Sequence, residues 1–225
     1  MNVLVACEES QEVCKAFRAK GHRAFSCDIQ ECSGGHPEWH IKGDALGIIY
    51  PDIISYDFGY FCTQDGLKHK LPVRWDLIIA HPPCTYLSNA GARWLWAGHK
   101  LNEERYAKGL DAKEFFMKFW NANCPRICIE NPIPSSAYNL PECTQFVQPY
   151  EYGHPYSKKT CLWLKGLPPL KPTDIVTDHK PFVSSGSYTK THDPKYKGAS
   201  RKGGSAKSRS KTFPGIARAM AEQWG

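Results

Sequence analysis

Short apolar runs alternate with helix-like stretches along this chain, and this alternation is the feature that most limits its fold. The strand-like runs are residues 2–6, 23–27, 75–80, 126–129 and 160–164, and the helical patterns cover residues 11–20, 102–120 and 214–224. Strands that alternate with helices favour a parallel sheet with helices on both faces. The sequence therefore predicts an α/β fold with a mostly parallel sheet.

Residues 165–211 interrupt this pattern, because they are rich in proline, glycine, serine and lysine. We expect one domain built from residues 1–164 and 212–225, with 165–211 as a small, basic and irregular insertion. No apolar run is long enough for a membrane helix. The opening Met-Asn-Val-Leu-Val-Ala is typical of a first strand rather than of a signal peptide, so the cytoplasm is the expected location.

The positive charge of the chain is concentrated near its end. The formal net charge is +7, and residues 190–211 account for all of that excess, with a single acid, Asp193, among them. The basic residues of this segment are Lys190, Lys195, Lys197, Arg201, Lys202, Lys207, Arg209 and Lys211. Such a cluster on a nearly neutral body favours a phosphate-binding surface. A solvated loop is the alternative, and the two are compatible because such loops often become ordered on nucleic acid.

The ten cysteines form neither a disulfide pattern nor a zinc pattern. None of the spacings is the Cys-x-x-Cys that tetrahedral zinc sites favour. We expect reduced and mostly buried thiols and no metal. A metal-dependent enzyme that uses His36, His40 and the nearby cysteines is the weaker alternative.

One cysteine differs from the others because it follows a buried strand and two prolines. The segment His81-Pro82-Pro83-Cys84 comes directly after the apolar run at residues 75–80. Two prolines fix the backbone in an extended turn, which projects the next side chain into the crevice at the end of the sheet. A thiolate there suits covalent catalysis, since cysteine is intrinsically a very nucleophilic side chain.

A carboxyl group follows another strand in the same way, at Glu130-Asn131-Pro132. A thiolate beside a glutamic acid suits attack on an electron-poor ring such as cytosine. The thiolate adds to C6, and the acid stabilises charge at N3, which makes C5 nucleophilic. For this role we expect the site to raise the pKa of Glu130, so that the carboxyl is protonated or shares a proton with the base.

These motifs together resemble the DNA cytosine-5 methyltransferase family. The family's catalytic loop, Pro-Cys-Gln-x-Phe-Ser-x-Ala-Gly, corresponds to Pro-Cys-Thr-Tyr-Leu-Ser-Asn-Ala-Gly at residues 83–91, and its Glu-Asn-Val to residues 130–132. Residues 152–160 are similar to the family's Tyr-Gly-x-Pro-Gln-x-Arg-x-Arg, and residues 212–217 to its late Asn-x-x-Pro-Pro-x-Val. The resemblance implies a Rossmann-like fold, S-adenosylmethionine as cofactor, DNA as partner, and a bacterial or phage enzyme that marks or shields DNA, as in restriction-modification.

The resemblance also implies roles for individual residues. The residues implied in catalysis are Cys84, Glu130, Lys158 and Thr160. Those implied in cofactor binding are Cys7, Glu8, Ser10, Asp28, Asp44, Pro82 and Thr212. Asp28 would bind the ribose hydroxyls and Asp44 the adenine amine, although a turn residue is an equal interpretation of Asp44. Those expected to contact nucleic acid are Ser88, Lys158, Lys159, Lys190, Arg201, Lys202, Arg209 and Lys211.

The chain departs from the family pattern in its first loop, its downstream motif and its length. Residues 7–11 contain no glycine where the family has a glycine-rich turn, and Lys158 and Thr160 replace paired arginines. Only about fifty residues separate Thr160 from Thr212, which leaves little room for a rigid element that reads base edges. We therefore expect low sequence specificity. Trp94 and Trp96 are expected mainly in the core, with stacking on a flipped base as the alternative.

Two other functions remain open. The same fold and covalent mechanism would also serve RNA, a nucleotide or a bulkier transferred group, which the altered first loop favours. A non-catalytic DNA-binding protein would need the basic segment but neither Cys84 nor Glu130.

Overall fold

The fold is built around one seven-stranded sheet. The computed structural model describes residues 1–51, 59–92, 94–182 and 210–225. In chain order the strands and helices are β1 (Asn2–Ala6), α1 (Glu12–Ala19), β2 (Arg23–Asp28), β3 (His40–Lys42), α2 (Ala45–Ile49), β4 (Tyr60–Cys62), β5 (Lys68–Lys70), β6 (Leu77–Ala80), α3 (Asn89–Ala92), β7 (Trp96–Ala97), β8 (Lys100–Leu101), α4 (Glu103–Trp120), β9 (Ile127–Pro132), β10 (Gln145–Val147), β11 (Tyr156–Ser157), β12 (Thr160–Lys165), β13 (Lys180–Pro181) and α5 (Pro214–Trp224). Single turns of 3-10 helix lie at Pro37–Trp39, Ser136–Tyr138 and Pro149–Glu151.

The main sheet has the strand order β10-β12-β9-β6-β1-β2-β3. Strands β3, β2, β1, β6 and β9 are mutually parallel, while β12 is antiparallel to both β9 and β10. The order reverses between β1 and β6, because the chain builds outward from β1 first on one side and then on the other. The predicted α/β, Rossmann-like fold with a mostly parallel sheet is confirmed.

Both faces of the sheet are covered, which explains why β6 is apolar at every position and β1 at every position after Asn2. Val3 and Val5 face the layer that contains α1 and α5, with Phe17 and Met220 among its buried side chains. On the other face, Leu4 belongs to the layer that contains α4. Each large side chain buried in this way contributes roughly 1.5–3 kcal/mol to folding. Within the described ranges, every helix is too short or too polar to span a membrane.

The helix termini follow from local sequence. Asn102 caps α4, since its side chain accepts a hydrogen bond from the Arg105 amide, and Glu103 and Glu104 lie in the positive first turn. Pro214 occupies the first turn of α5, where a backbone N–H would have no partner within the helix, so its absence removes no hydrogen bond.

The predicted insertion is described only in part. Residues 165–182 and 210–211 are described, and residues 183–209 lie outside the described residues. The boundaries of the insertion thus stay a prediction.

Candidate active site

The candidate site lies at the carboxyl ends of β1, β2, β6 and β9. In open α/β sheets, ligands bind at this edge, at the point where the strand order reverses. Here that point lies between β1 and β6. The loop after β1 begins at Cys7, the loop after β6 contains Cys84, and Glu130 and Asn131 belong to the last part of β9. The topology therefore gathers the residues that the two main motifs singled out.

The loop that carries Cys84 is held from two sides. The side-chain amide of Asn131 donates a hydrogen bond of 2.7 Å to the carbonyl of Pro82. From the other side, the Arg105 guanidinium donates to the carbonyls of Thr85 at 3.2 Å and of Gly91 at 3.1 Å. Gly91 is required there, because an added Cβ would lie 2.1 Å from the Thr85 carbonyl oxygen. These contacts fix the backbone on both sides of the half-buried thiol.

Two adjoining cavities meet at Cys84. The first, of about 430 Å³, is lined by Cys7, Glu8, Glu9, Ser10, Asp28, Gln30, His81, Pro83, Cys84, Thr85, Ser210, Lys211 and Thr212. The second, of about 300 Å³, is lined by His81, Pro82, Pro83, Cys84, Ser88, Ala90, Glu130, Asn131, Pro132, Lys158, Phe182 and Ser210. Cys84 and His81 belong to both linings, whereas Glu130 belongs only to the second. Ligands that fill the two cavities would therefore both lie against Cys84.

Glu130 is paired with His81, which the sequence interpretation did not single out. His81 Nδ1 lies 2.9 Å from Glu130 Oε2, and the two side chains are only 9% and 14% exposed. The pair follows from strand register, because Ala80 of β6 lies opposite Ile129 of β9 and the next residues are His81 and Glu130. The strand-end position that drew attention to Cys84 was also the signal for His81.

This pair contradicts the expectation that the site raises the pKa of Glu130. Burial raises the pKa of the carboxyl, but the hydrogen bond and charge of His81, helped by Lys158, outweigh burial and lower it. Burial likewise lowers the pKa of His81, but its bond to Glu130 and the charges of Glu130 and Glu8 outweigh it and raise the pKa. The two directions together favour an imidazolium beside a carboxylate over a protonated glutamic acid.

The first loop obtains its tight turn without glycine. Cys7 and Gln11 adopt the left-handed conformation, with φ of 58° and 60°. Glu8 is buried and accepts hydrogen bonds from the amides of Val13 at 2.7 Å and Cys14 at 3.2 Å. Its carboxyl group thus caps the N-terminus of α1. Burial raises the pKa of Glu8, and the charge of His81 and the two amide hydrogen bonds act against that rise.

The expected cofactor residues divide between the two cavities. Cys7, Glu8, Ser10, Asp28 and Thr212 line the first cavity, together with Lys211. Pro82 lines only the second. Asp44 lines neither; it caps α2, where its Oδ1 accepts a 2.9 Å hydrogen bond from the Leu46 amide. The geometry thus favours the turn interpretation of Asp44.

The residues expected in catalysis and nucleic-acid contact are brought together only in part. Ser88 and Lys158 line the second cavity with Glu130. Thr160 is buried on β12, and its hydroxyl donates to the Lys158 carbonyl at 3.1 Å. Lys159 is exposed, with Nζ 3.8 Å from the centre of the Phe146 ring. Four further residues, Lys190, Arg201, Lys202 and Arg209, lie outside the described residues.

The expectation that the tryptophans pack in the core is wrong. Trp94 is 61% exposed and Trp96 56% exposed, while Leu95 between them is buried. Both lie close in sequence to the loop that carries Cys84, and Trp94 lines a surface cleft with Tyr86 and Arg105.

The histidines that motivated a metal site have structural partners. The ten cysteines are free thiols, five of them buried and one, Cys62, exposed. His40 is fully buried and bonded to Ser26 and to the Gln30 carbonyl, and His36 stacks on Trp39. Across the described ranges, no three His, Cys, Asp or Glu side chains are grouped to hold a metal ion.

Comparisons with known proteins add little to this picture. No family model and no curated protein matches the chain. Among solved structures, a methyltransferase of Entamoeba histolytica is similar, with 12% sequence identity over 78% of this chain and a TM-score of 0.38. The chain spans 57% of the length of that methyltransferase.

Proposed function

We propose that this protein transfers a methyl group from S-adenosylmethionine to C5 of cytosine in DNA. The observation that carries the proposal is the position of Cys84 at the junction of two cavities, with Glu130 in one and Asp28 in the other. Covalent activation of a base needs this arrangement, because the nucleophile and the acid must face the base while the donor approaches from elsewhere.

The first cavity suits the cofactor. Its volume of about 430 Å³ lies within the range of about 300–1,000 Å³ that is typical of small-molecule sites. Asp28 is the last residue of β2, a position where an acidic residue commonly binds ribose hydroxyls. Ser10 and Thr212 provide further polar groups, and the nearby carboxylates suit a cationic sulfonium. When bound, the cofactor supplies an electrophilic methyl group.

The second cavity suits the target base. At about 300 Å³ it is the smaller of the two, and a base can enter it only after leaving the DNA stack. The Cys84 thiolate forms a bond to C6, and the π electrons of the C5–C6 bond shift so that N3 takes up a proton. C5 would then take the methyl group as the methyl–sulfonium bond of the donor breaks, which leaves a neutral thioether. When water takes the C5 proton and N3 gives up the proton it gained, the C5–C6 double bond returns and the bond between Cys84 and C6 breaks.

Nucleoside mass spectrometry tests the proposal. DNA from cells that express the protein should contain a cytosine nucleoside heavier by one methylene group, and Cys84→Ser should abolish it. DNA with 5-fluorocytosine should form a stable covalent complex with the wild type, because fluorine cannot leave as a cation. Soluble protein that binds DNA but gives neither result would refute methyl transfer to DNA.

A second candidate keeps the mechanism but changes the donor or the acceptor. The first loop favours it, because Glu8 occupies the helix N-terminus and no glycine allows close backbone approach. A different added mass on cytosine would identify another donor, whereas modification of RNA or free nucleotides would identify another acceptor. A binding protein without chemistry would keep DNA affinity in Cys84→Ser and show no product with any of these substrates.

A further inference from the structure

His81 holds a position that a purely structural histidine does not need. Its Nδ1 is bonded to Glu130, and its Nε2 is buried without a hydrogen-bond partner among the described residues. The side chain lines both cavities beside Cys84. Buried polar atoms without partners are rare in native proteins and often mark functional groups.

We propose that His81 is a positioning residue which holds the proton for base activation and exchanges it through Glu130. The inference rests on the proposed function, because the acceptor is N3 of the target base. Glu130 is the group that touches the base, and His81 acts through it. The pair thus replaces the lone protonated glutamic acid that the sequence predicts.

The proton balance of the step is simple. Before reaction, His81 is an imidazolium and Glu130 a carboxylate. As the Cys84 sulfur bonds to C6, N3 takes a proton from the pair, and His81 becomes neutral. When the sulfur–C6 bond breaks, N3 returns that proton to the pair. No oxidant, reductant or further reactant is needed.

The charges that face His81 support this resting state. Glu130 at the end of β9 and Glu8 in the loop after β1 are acidic, whereas Lys158 beyond β11 is the opposing positive charge. Burial disfavours the imidazolium, but the two carboxylates outweigh burial and Lys158 together and raise the pKa of His81. Two acids from different elements thus hold one proton on the imidazole.

The first test needs no enzymatic activity. NMR of protein with isotope-labelled histidines gives the pKa of His81, with His81→Gln used to assign its signal. We expect a value above the ordinary histidine pKa of about 6.5 in the wild type. In Glu130→Gln the pKa of His81 should be lower, because the charge of Glu130 no longer offsets the effect of burial. A wild-type value below the ordinary one, or a value that Glu130→Gln leaves unchanged, would overturn the proposal.

The second test measures the single-turnover rate of methyl transfer against pH. The rate of the wild type should fall as pH rises through the pKa of the pair, because the proton is lost. In His81→Gln, the rate should fall about 100-fold, while the KM for DNA, measured at steady state, should change little. The pH at which the rate declines should become lower by about one unit. The exposed His179, whose ring centre lies 4.0 Å from that of Tyr150, provides the matched control His179→Gln.

The variants also separate this inference from the proposed function. If His81→Gln is unfolded by circular dichroism, His81→Asn is used in its place. A pH profile that does not move to lower pH in the folded variant overturns the role of His81, while methylation by the wild type still supports the function. If the wild type modifies no cytosine, the function fails, and a raised pKa of His81 loses its proposed acceptor.

Discussion

Asn131 offers a sharp test of how the Cys84 loop is positioned. Pro82 and Pro83 have no backbone N–H groups, so this turn cannot be held through its own amides. The Asn131 side chain, 3% exposed, supplies the missing restraint through its bond to the Pro82 carbonyl. Asn131→Ala removes that donor and leaves a buried carbonyl without a partner.

The expected magnitude follows from this one bond. A buried acceptor without a partner costs about 1–3 kcal/mol of the free energy of unfolding. Starting from about 5–15 kcal/mol, more than about 90% of the protein stays folded. A loss of activity beyond about 10% must therefore come from displaced geometry, and a shift of about 1 Å at the nucleophile costs about 100-fold in rate.

Urea unfolding and the single-turnover rate together test this reasoning. Asn131→Asp should lower the unfolding midpoint more than Asn131→Ala at neutral pH, because a carboxylate cannot donate and repels the Pro82 carbonyl. The exposed Asn123 provides the control Asn123→Ala. An Asn131→Ala protein with the midpoint and rate of that control would refute the argument.

Three further predictions concern the loop clamp, the surface aromatics and the buried histidine. Arg105→Ala removes both donors to the Thr85 and Gly91 carbonyls, so the single-turnover rate should fall at least about tenfold while the free energy of unfolding changes by less than about 2 kcal/mol. Trp96→Ala should change stability by less than about 0.5 kcal/mol because the ring is exposed, yet weaken DNA binding in fluorescence anisotropy by about 1–3 kcal/mol if the ring stacks on a base. Burial lowers the pKa of His40, so the unfolded chain binds the proton more tightly. The free energy of unfolding should therefore fall as pH drops below about 6.5, by at most about 1.4 kcal/mol per unit from this residue, and urea unfolding of His40→Asn should show a flatter pH dependence.

Each of these predictions has a matched control. Ile175 is exposed like Trp96, so Ile175→Ala should leave DNA affinity unchanged. Equal affinities for both variants would exclude stacking at Trp96. Lys113→Ala on the same helix as Arg105 should keep the wild-type rate, and an equal loss in both would exclude the clamp. A pH slope in His40→Asn equal to that of the wild type would refute the role of burial at His40.

The fold was predictable because its central elements are long and strongly patterned. The strands near residues 2–6, 23–27 and 126–129 and the helices near 11–20, 102–120 and 214–224 lie where the sequence places them, within a few residues. The edge strands β3 and β10, of three residues each, are too short to show any period. The antiparallel direction of β12 also escapes prediction, because an apolar run fixes burial but not direction.

The site was predictable where function depends on residue type and strand ends, and unpredictable where it depends on tertiary surroundings. Cys84 and Glu130 were singled out in this way, and their catalytic roles stay predictions. Trp94 and Trp96 were wrongly placed in the core because apolarity alone does not say which side of a short hairpin is buried. For Asp44, one sequence position was compatible with both a helix cap and a ligand contact.

The sequence does not show the register between β6 and β9, that is, which residue of one strand lies opposite which residue of the other. Parallel pairing aligns Ala80 with Ile129, so the next residues, His81 and Glu130, lie side by side at this edge. A slip of one residue would set His81 beside Ile129 or Asn131 and turn every side chain of the strand to the opposite face. Such a slip is disfavoured because both faces of β6 are closely packed, and side chains of different size would exchange places on both faces at once. The packing of the whole sheet therefore determines that His81 lies beside Glu130, which is the contact that the proposed proton exchange requires.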